Sequence, residues 1–258
     1  MNNLELRNLT EGLIDAFLQA GKISKDFSAK GLKITIKPDK SPVTNGDLAV
    51  DKILREKIFS LTPNIPIISE ETVNLKLENK NKTFWLIDPI DGTRQYIKNE
   101  DEYTLNAALI FDLKPVAGII YAPKKNRLFF SYGPNLAFEI NEGKKKTLNC
   151  KKINANQIIA LTNSDKMDNE ILQIYKKNNS THIIKMSSSF KFCVLAAGEA
   201  DIYAAKARAF EWDIAAGHAI LSHAGGSVTT HEGKEFFYGK KDYKNLPLIA
   251  KRSFNLKI

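Results

Sequence analysis

The apolar positions along the chain change period several times, and each change predicts a change of element. Leu6, Leu9, Leu13, Ile14, Phe17 and Leu18 recur at helical spacing and predict a helix over residues 3–20. KITIK (33–37) alternates as a strand does. Thr44 opens a second helix running to Phe59, with Val50, Ile53, Leu54 and Ile58 on one side. Two short apolar runs follow, IPIIS (65–69) and FWLI (84–87), each of strand length. From Tyr103 the runs TLNAALI, VAGIIYA, RLFFSY and LAFEI are divided by KP, PKKN and GPN turns, which predicts an antiparallel meander.

After Cys150 strand and helix alternate. IIALT (158–162) leads to a helix (165–176), then HIIKM, a helix (189–198), DIYAA and a helix (212–224). Such alternation predicts an α/β half with some parallel pairing, behind an α+β half with an antiparallel sheet. The change falls near 145–155, so the expected halves are 1–150 and 151–258, closely packed and not independent.

With 43% hydrophobic residues among 258, the chain can bury a large core. No run reaches the ~18–20 apolar residues of a membrane span. The N-terminus, MNNLELRNLTEGLIDAF, lacks the basic and apolar segments of a signal peptide. Cys150 and Cys193 are the only cysteines, too few for a disulfide framework, and they suggest a reducing cytoplasm. The net charge of +9 raises the question of a polyanionic ligand. The basic clusters KKNR (124–127), GKKKT (143–147) and CKK (150–152) sit beside turn residues, without aromatic interleaving or a nucleic-acid-binding motif. They read better as solvated surface, so no nucleic-acid partner is expected.

The chemistry concentrates in acids placed at strand ends. WLIDPIDGT (85–93) begins as a buried strand and ends on Asp88 and Asp91, with Pro89 restricting the backbone so that the chain turns after Asp88. Two converging carboxylates need a proton or a cation between them. A hard divalent cation such as Mg²⁺ suits them, with the Ile90 carbonyl as a further oxygen. Gly92 allows close approach to the backbone, and a helix beginning at DGT would offer free amides to an anion. Glu70 and Glu71 follow the strand IPIIS. Asp213 opens the helix EWDIAAGHAIL, whose Ala and Gly residues suit close packing on a sheet. Asp47 is ambiguous, because Thr44-x-x-Asp47 also reads as a capping box. The four histidines form no site, and His218 reads as a packing residue. No nucleotide-cradling glycine loop or serine elbow is present.

Together, ISEE (68–71), WLIDPIDGT (85–93) and WDIAAG (212–217) resemble the lithium-sensitive, magnesium-dependent phosphatases of the inositol monophosphatase superfamily. Within it, DGTRQYIKNEDEYTLNAALI (91–110) and SSSFKFCVLAAGEADIY (187–203) are most similar to the CysQ-type 3'(2'),5'-bisphosphate nucleotidases. Two departures bear on substrate choice. Arg94-Gln95 stands where that branch usually has Lys-Glu, and the loop 204–211, with Arg208, does not align clearly with the branch's usual arginine.

The resemblance implies a layered αβαβα sandwich and hydrolysis of adenosine 3',5'-bisphosphate to AMP and phosphate, a step that recycles a by-product of sulfate assimilation. It implies two Mg²⁺ ions, or three, held by Glu70, Asp88, the Ile90 carbonyl, Asp91 and Asp213, with Glu71 supporting the ligands or serving the third ion. Asp47 and Thr93 would orient the attacking water. Gly92 and Thr93 would cradle the phosphate, and Ser188, Lys191 and Asp213 would contact the rest of the nucleotide. An inositol or sugar phosphatase is the alternative. The expected setting is the cytoplasm or the inner face of its membrane, and the sequence is silent on oligomeric state.

Overall fold

The computed structural model describes residues 1–75, 80–150, 157–253 and 255–256. The elements run α1 (Asn3–Glu11), α2 (Ile14–Lys30), β1 (Ile34–Ile36), β2 (Pro42–Thr44), α3 (Asn45–Leu61), β3 (Ile67–Ser69), β4 (Phe84–Asp91), α4 (Thr93–Ile97), β5 (Thr104–Phe111), β6 (Lys114–Ala122), β7 (Arg127–Ser131), β8 (Ala137–Asn141) and β9 (Lys144–Thr147). They continue with β10 (Ile158–Thr162), α5 (Asn169–Lys177), β11 (Ser180–Lys185), α6 (Phe190–Ala197), β12 (Ile202–Ala205), α7 (Glu211–His223), β13 (Ser227–Thr230) and β14 (Leu248–Lys251).

Strands β3 to β9 form one sheet in chain order. Only the β3–β4 pair in it is parallel. A second sheet has the order β11-β10-β12-β14-β13. Its β10–β11 and β10–β12 pairs are parallel, and its β12–β14 and β13–β14 pairs antiparallel. Alternation of side chains across each strand sends successive residues to opposite faces, and the buried clusters follow that rule. Trp85, Ile87, Leu105, Ala107 and Leu109 meet Leu6, Phe17, Val50 and Leu54 of α1–α3. Phe84, Leu86, Ala108 and Ile110 face the other way, into a core with α6 and α7 that also includes Leu161, Tyr203 and Leu248 of the second sheet. The far face of that sheet, with Ile158, Ala160 and Ile202, packs on Ile174 and Tyr175 of α5. The layers are therefore αβαβα, as the resemblance implies.

Helix α7 lies close on the first sheet. A Cβ at Gly118 of β6 would come within 2.5 Å of the Ala216 carbonyl oxygen and 3.0 Å of the Ala219 Cβ. The small residues read from WDIAAGHA have that purpose: they let the helix carrying Asp213 approach the strands carrying the other acids.

Several elements differ from the sequence reading. The helix expected over 3–20 is two, separated at Gly12-Leu13, and the second runs on to Lys30. Its later turns bury Ala20, with Gly21 against Tyr121 and Ser24 against Tyr103, so small residues rather than large apolar ones carry the period there. The helix expected at 165–176 starts at Asn169, where Asp168 caps it. GKKKT, read as a surface cluster, contains the edge strand β9, exposed at every position. Three lysines show no alternation, and charge on an edge discourages further pairing. Two charges of the basic clusters are engaged within the chain: Arg127 with Glu139 and Glu199, and Lys145 with Glu11. Lys151 and Lys152, and with them the later part of the interval expected to divide the halves, lie outside the described residues.

Candidate metal-dependent phosphatase site

The two aspartates of DPID converge by a device different from the expected turn. β4 does not turn after Asp88 but continues to Asp91. Asp88 pairs with Asn106 and Asp91 with Thr104 of β5, so three steps on one strand oppose two on the other. That is a bulge. In a regular strand, residues three apart point to opposite faces. The extra residue at Pro89-Ile90 cancels the offset, and Ile90 goes to the α1–α3 side with Trp85 and Ile87. Pro89 suits the bulge because it has no amide to offer the ladder.

Glu70 continues the β3–β4 pairing by donating its amide to the Ile87 carbonyl (3.1 Å), which places it beside Asp88. Asp213, in the first turn of α7, accepts the Phe210 amide at 2.8 Å. Ligand oxygens of Glu70, Asp88 and Asp213 lie within 4.8 Å of one another. Asp88 is 1% exposed, and its Oδ1 is buried without a hydrogen-bond partner among the described residues. Burial first, then repulsion from Glu70, Asp91 and Asp213, pushes the Asp88 carboxyl well above its ordinary range. Asp213 is pushed up likewise by burial, Asp91 and Glu70, against the hydrogen bonds of Phe210 and Asp88. Asp91 is raised to about 6 by burial, moderated by Lys191 and the Ser189 amide. Buried acids left in this condition are unfavourable unless a cation joins them, and the all-oxygen donor set suits a hard divalent ion.

Glu71 is raised to about 7, chiefly by burial, although Lys37 pairs with it at 2.7 Å and with Glu70 at 3.1 Å. Sequence reasoning missed Lys37, which follows β1 and reaches the acids across the hairpin of β1 and β2. It also missed Asp51, one helical turn after Asp47, whose carboxylate accepts the Ser69 hydroxyl (2.5 Å) and Arg55 (2.7 Å) just ahead of Glu70. The Thr44-to-Asp47 spacing signals a capping box, which the structure contains, while the water-orienting role of Asp47 came only with the resemblance. Its Oδ2 closes the capping box, accepting the Thr44 amide (2.9 Å) and hydroxyl (2.5 Å). Its Oδ1 faces the Thr93 hydroxyl at 3.2 Å, which also lies 3.1 Å from the Ile90 carbonyl.

Two cavities share this floor. One of about 350 Å³ is lined by Glu70, Asp88, Ile90, Asp91, Thr93 and Asp213. The other, about 370 Å³, is lined by Asp91, Gly92, Ser187–Ser189, Lys191, Tyr203, Arg208 and Asp213. Arg94 and Gln95 line both. Lys191 is 5% exposed, donates to the Ser188 carbonyl and stands 5.1 Å from the Tyr203 ring centre. Burial lowers its ammonium to about 8, so it remains mostly charged near neutrality. α4 has only five residues, shorter than the sequence suggested. His218 is buried against the Tyr238 hydroxyl, away from these groups.

The model of the inositol monophosphatase family matches residues 5–252. The chain belongs to that family. Members of the family are generally metal-dependent, which agrees with the acid cluster. Among relatives, the chain is 38% identical over 213 residues to the 3'(2'),5'-bisphosphate nucleotidase CysQ of Buchnera aphidicola, covering 82% of this chain and 79% of that one. It is 33% identical to the protein of the same name from Escherichia coli K12, covering 83% and 86%. The fold is similar to the crystal structure of CysQ from Bacteroides thetaiotaomicron, with TM-score 0.76, 29% identity, and 93% and 96% of the two chains covered. It is also similar to an inositol monophosphatase from Anabaena, with TM-score 0.77 at 20% identity and coverage of 96% and 92%, a likeness of fold.

Proposed function

We propose that this chain is a Mg²⁺-dependent 3'(2'),5'-bisphosphate nucleotidase that releases the 3'-phosphate of adenosine 3',5'-bisphosphate. The observation that carries the reading is the pair of joined cavities, one floored by carboxylates and the other holding the buried Lys191 ammonium. Acids gather cations around the phosphate that is cut. A buried ammonium suits the phosphate that stays. Relatives named for this activity at 33–38% identity support it.

Glu70, Asp88, the Ile90 carbonyl, Asp91 and Asp213 would hold two ions, with Glu71 beside a third. Such ions supply charge neutralisation at the transferring phosphoryl group and a water of lowered pKa. The chain's own groups do the rest. Asp47, fixed by Thr44 through one oxygen, accepts a hydrogen bond from the Thr93 hydroxyl with the other. The Thr93 oxygen is then turned to accept a hydrogen bond from water in the cavity, aligning it for in-line attack. Gly92 and Thr93 present their backbone to the phosphate, and Ser188 and Lys191 engage the remainder of the nucleotide. In this reading residues 1–150 supply most of the acids, residues 151–258 supply Asp213 and the nucleotide contacts, and neither half acts alone.

Among the described residues no helix is long and apolar enough to cross a membrane. Two separate buried cysteines fit a reducing cytoplasm. A seat on the inner membrane face gains no supporting observation.

Phosphate release from adenosine 3',5'-bisphosphate, inositol 1-phosphate and fructose 1,6-bisphosphate, with Mg²⁺ and with or without Li⁺, tests the reading. The nucleotide should be preferred and Li⁺ should inhibit. Preference for inositol 1-phosphate would replace the reading with the monophosphatase alternative.

A further inference from the structure

The segment Ser187–Ser189, which carries the proposed nucleotide contact Ser188, has an unusual number of fixed points. Ser188 has φ +54°, a left-handed conformation that a serine adopts at a cost. It is held there by its neighbours. The Ser187 amide donates to Glu102 Oε2 at 2.8 Å. The Ser189 amide donates to Asp91 Oδ2. The Ser188 carbonyl accepts from Lys191. The Ser189 hydroxyl lies 2.6 Å from Asn106 Oδ1 and 2.8 Å from the Thr104 hydroxyl.

Glu102 differs from the other acids here. It stands outside the cluster of Glu70, Asp88 and Asp213 that would hold a metal. Its own position is set by the phosphate-facing turn: Gly92 has φ +92°, and a Cβ on it would meet the Glu102 carbonyl oxygen at 2.9 Å. Glu102 therefore rests its backbone on Gly92 and extends its carboxylate to Ser187, 85 residues later in the chain. Asp91 also grips the segment, but a metal ligand shares its carboxylate between the amide and the ion.

We infer that Glu102 is a positioning residue for substrate selection: by accepting the Ser187 amide it holds Ser188 and Lys191 toward the second phosphate of the nucleotide. The inference rests on the nucleotidase reading for the identity of the substrate, and on geometry alone for the hold on the loop. Ser188 needs its left-handed backbone to stay in the cavity, and an anchor on either side of it keeps that conformation from relaxing. A carboxylate accepting an amide is a charge-assisted bond, stronger than a neutral one. Glu102 touches neither substrate nor reacting atoms, so its effect falls on binding more than on the chemical step.

The test uses the full chain with Glu102→Ala and Glu102→Gln. Loss of a charged acceptor is expected to raise KM for adenosine 3',5'-bisphosphate about tenfold, with kcat down less than about threefold. KM for adenosine 3'-monophosphate should move less. Glu102→Gln keeps an acceptor oxygen and should stay within about threefold of the wild type. Mn²⁺ affinity by calorimetry should be unchanged in both. Amide hydrogen exchange should quicken at 187–189 in Glu102→Ala, without a change in β4. An unaltered KM and unaltered exchange in Glu102→Ala would overturn the inference. So would a matching loss of Mn²⁺ affinity, or a glutamine variant as poor as the alanine one. If the wild type releases no phosphate from the bisphosphate, the nucleotidase reading fails instead, and the exchange measurement still tests the hold on the loop.

Discussion

Replacing Asp88 with Asn should stabilise the metal-free protein while abolishing its response to Mg²⁺. In the absence of a cation Asp88 faces Glu70 and Asp213, whose ligand oxygens lie within 4.8 Å. Two unit charges at such a separation repel by about 3–4 kcal/mol at an effective dielectric constant near 20. Part of that is already relieved, because burial and mutual repulsion push the Asp88 and Asp213 carboxyls up, toward their neutral forms. A net gain of about 1–2 kcal/mol is the reasonable remainder, which raises the melting midpoint by roughly 2–8 °C in a chain of this size. Asn is close in shape to Asp, and its amide can donate to the flanking carboxylates. The assay is thermal unfolding by circular dichroism in EDTA, repeated with Mg²⁺. Wild type should gain stability with Mg²⁺ and the variant should not. A variant less stable than wild type in EDTA, and still stabilised by Mg²⁺, would refute the idea that uncompensated acid repulsion dominates this site.

Three further outcomes are expected. Asp91, raised to about 6, and Glu71, raised to about 7, hold protons more tightly folded than unfolded. The stability these two groups contribute to the metal-free protein should therefore fall as pH rises from about 4 to about 7, against an opposite slope from His218 and His223, which burial lowers to about 3 and about 4, and Mg²⁺ binding near pH 6.5 should release protons, seen as buffer-dependent heats in calorimetry. Lys37, raised as well, is charged throughout that window and adds no slope. Thr93→Val removes the hydroxyl that links Asp47 to the cavity, and should lower kcat by about 10²-fold or more with little change in KM, read in steady-state kinetics. Lys191→Met removes the buried ammonium and should raise KM for adenosine 3',5'-bisphosphate at least about tenfold more than for adenosine 3'-monophosphate. Equal effects on both substrates would remove Lys191 from selection.

What the sequence made legible followed the reach of local rules. DPIDGT and EWD could be read because acids at the end of an apolar run, or in a helix's first turn, are local signals. An α+β half followed by an α/β half could be read from one change of period near the middle of the chain, and the layered sandwich entered through resemblance. The bulge was not legible, since Pro89 is compatible with either a turn or a bulge, and only the pairing of Asp88 with Asn106 and Asp91 with Thr104 decides between them. Lys37, Asp51 and Glu102 are ordinary charged residues in sequence. Their meaning comes from partners up to 85 residues away. β13 and β14 are four-residue strands whose pairing, Ser227 with Lys251 through Thr230 with Leu248, joins segments separated by a long loop. Asp47 is the instructive case. Its capping role is local and its bond to Thr93 spans 46 residues, so sequence spacing could suggest the first while the second entered through resemblance.

The central claim is that acids from both halves of the chain gather divalent cations at one point. Crystals grown with Mn²⁺, measured at the manganese absorption edge, test it most directly. The account predicts anomalous peaks within bonding distance of Asp88, with Glu70 and Asp213 among their ligands. Peaks elsewhere, with none touching Asp88 or Asp213, would contradict it.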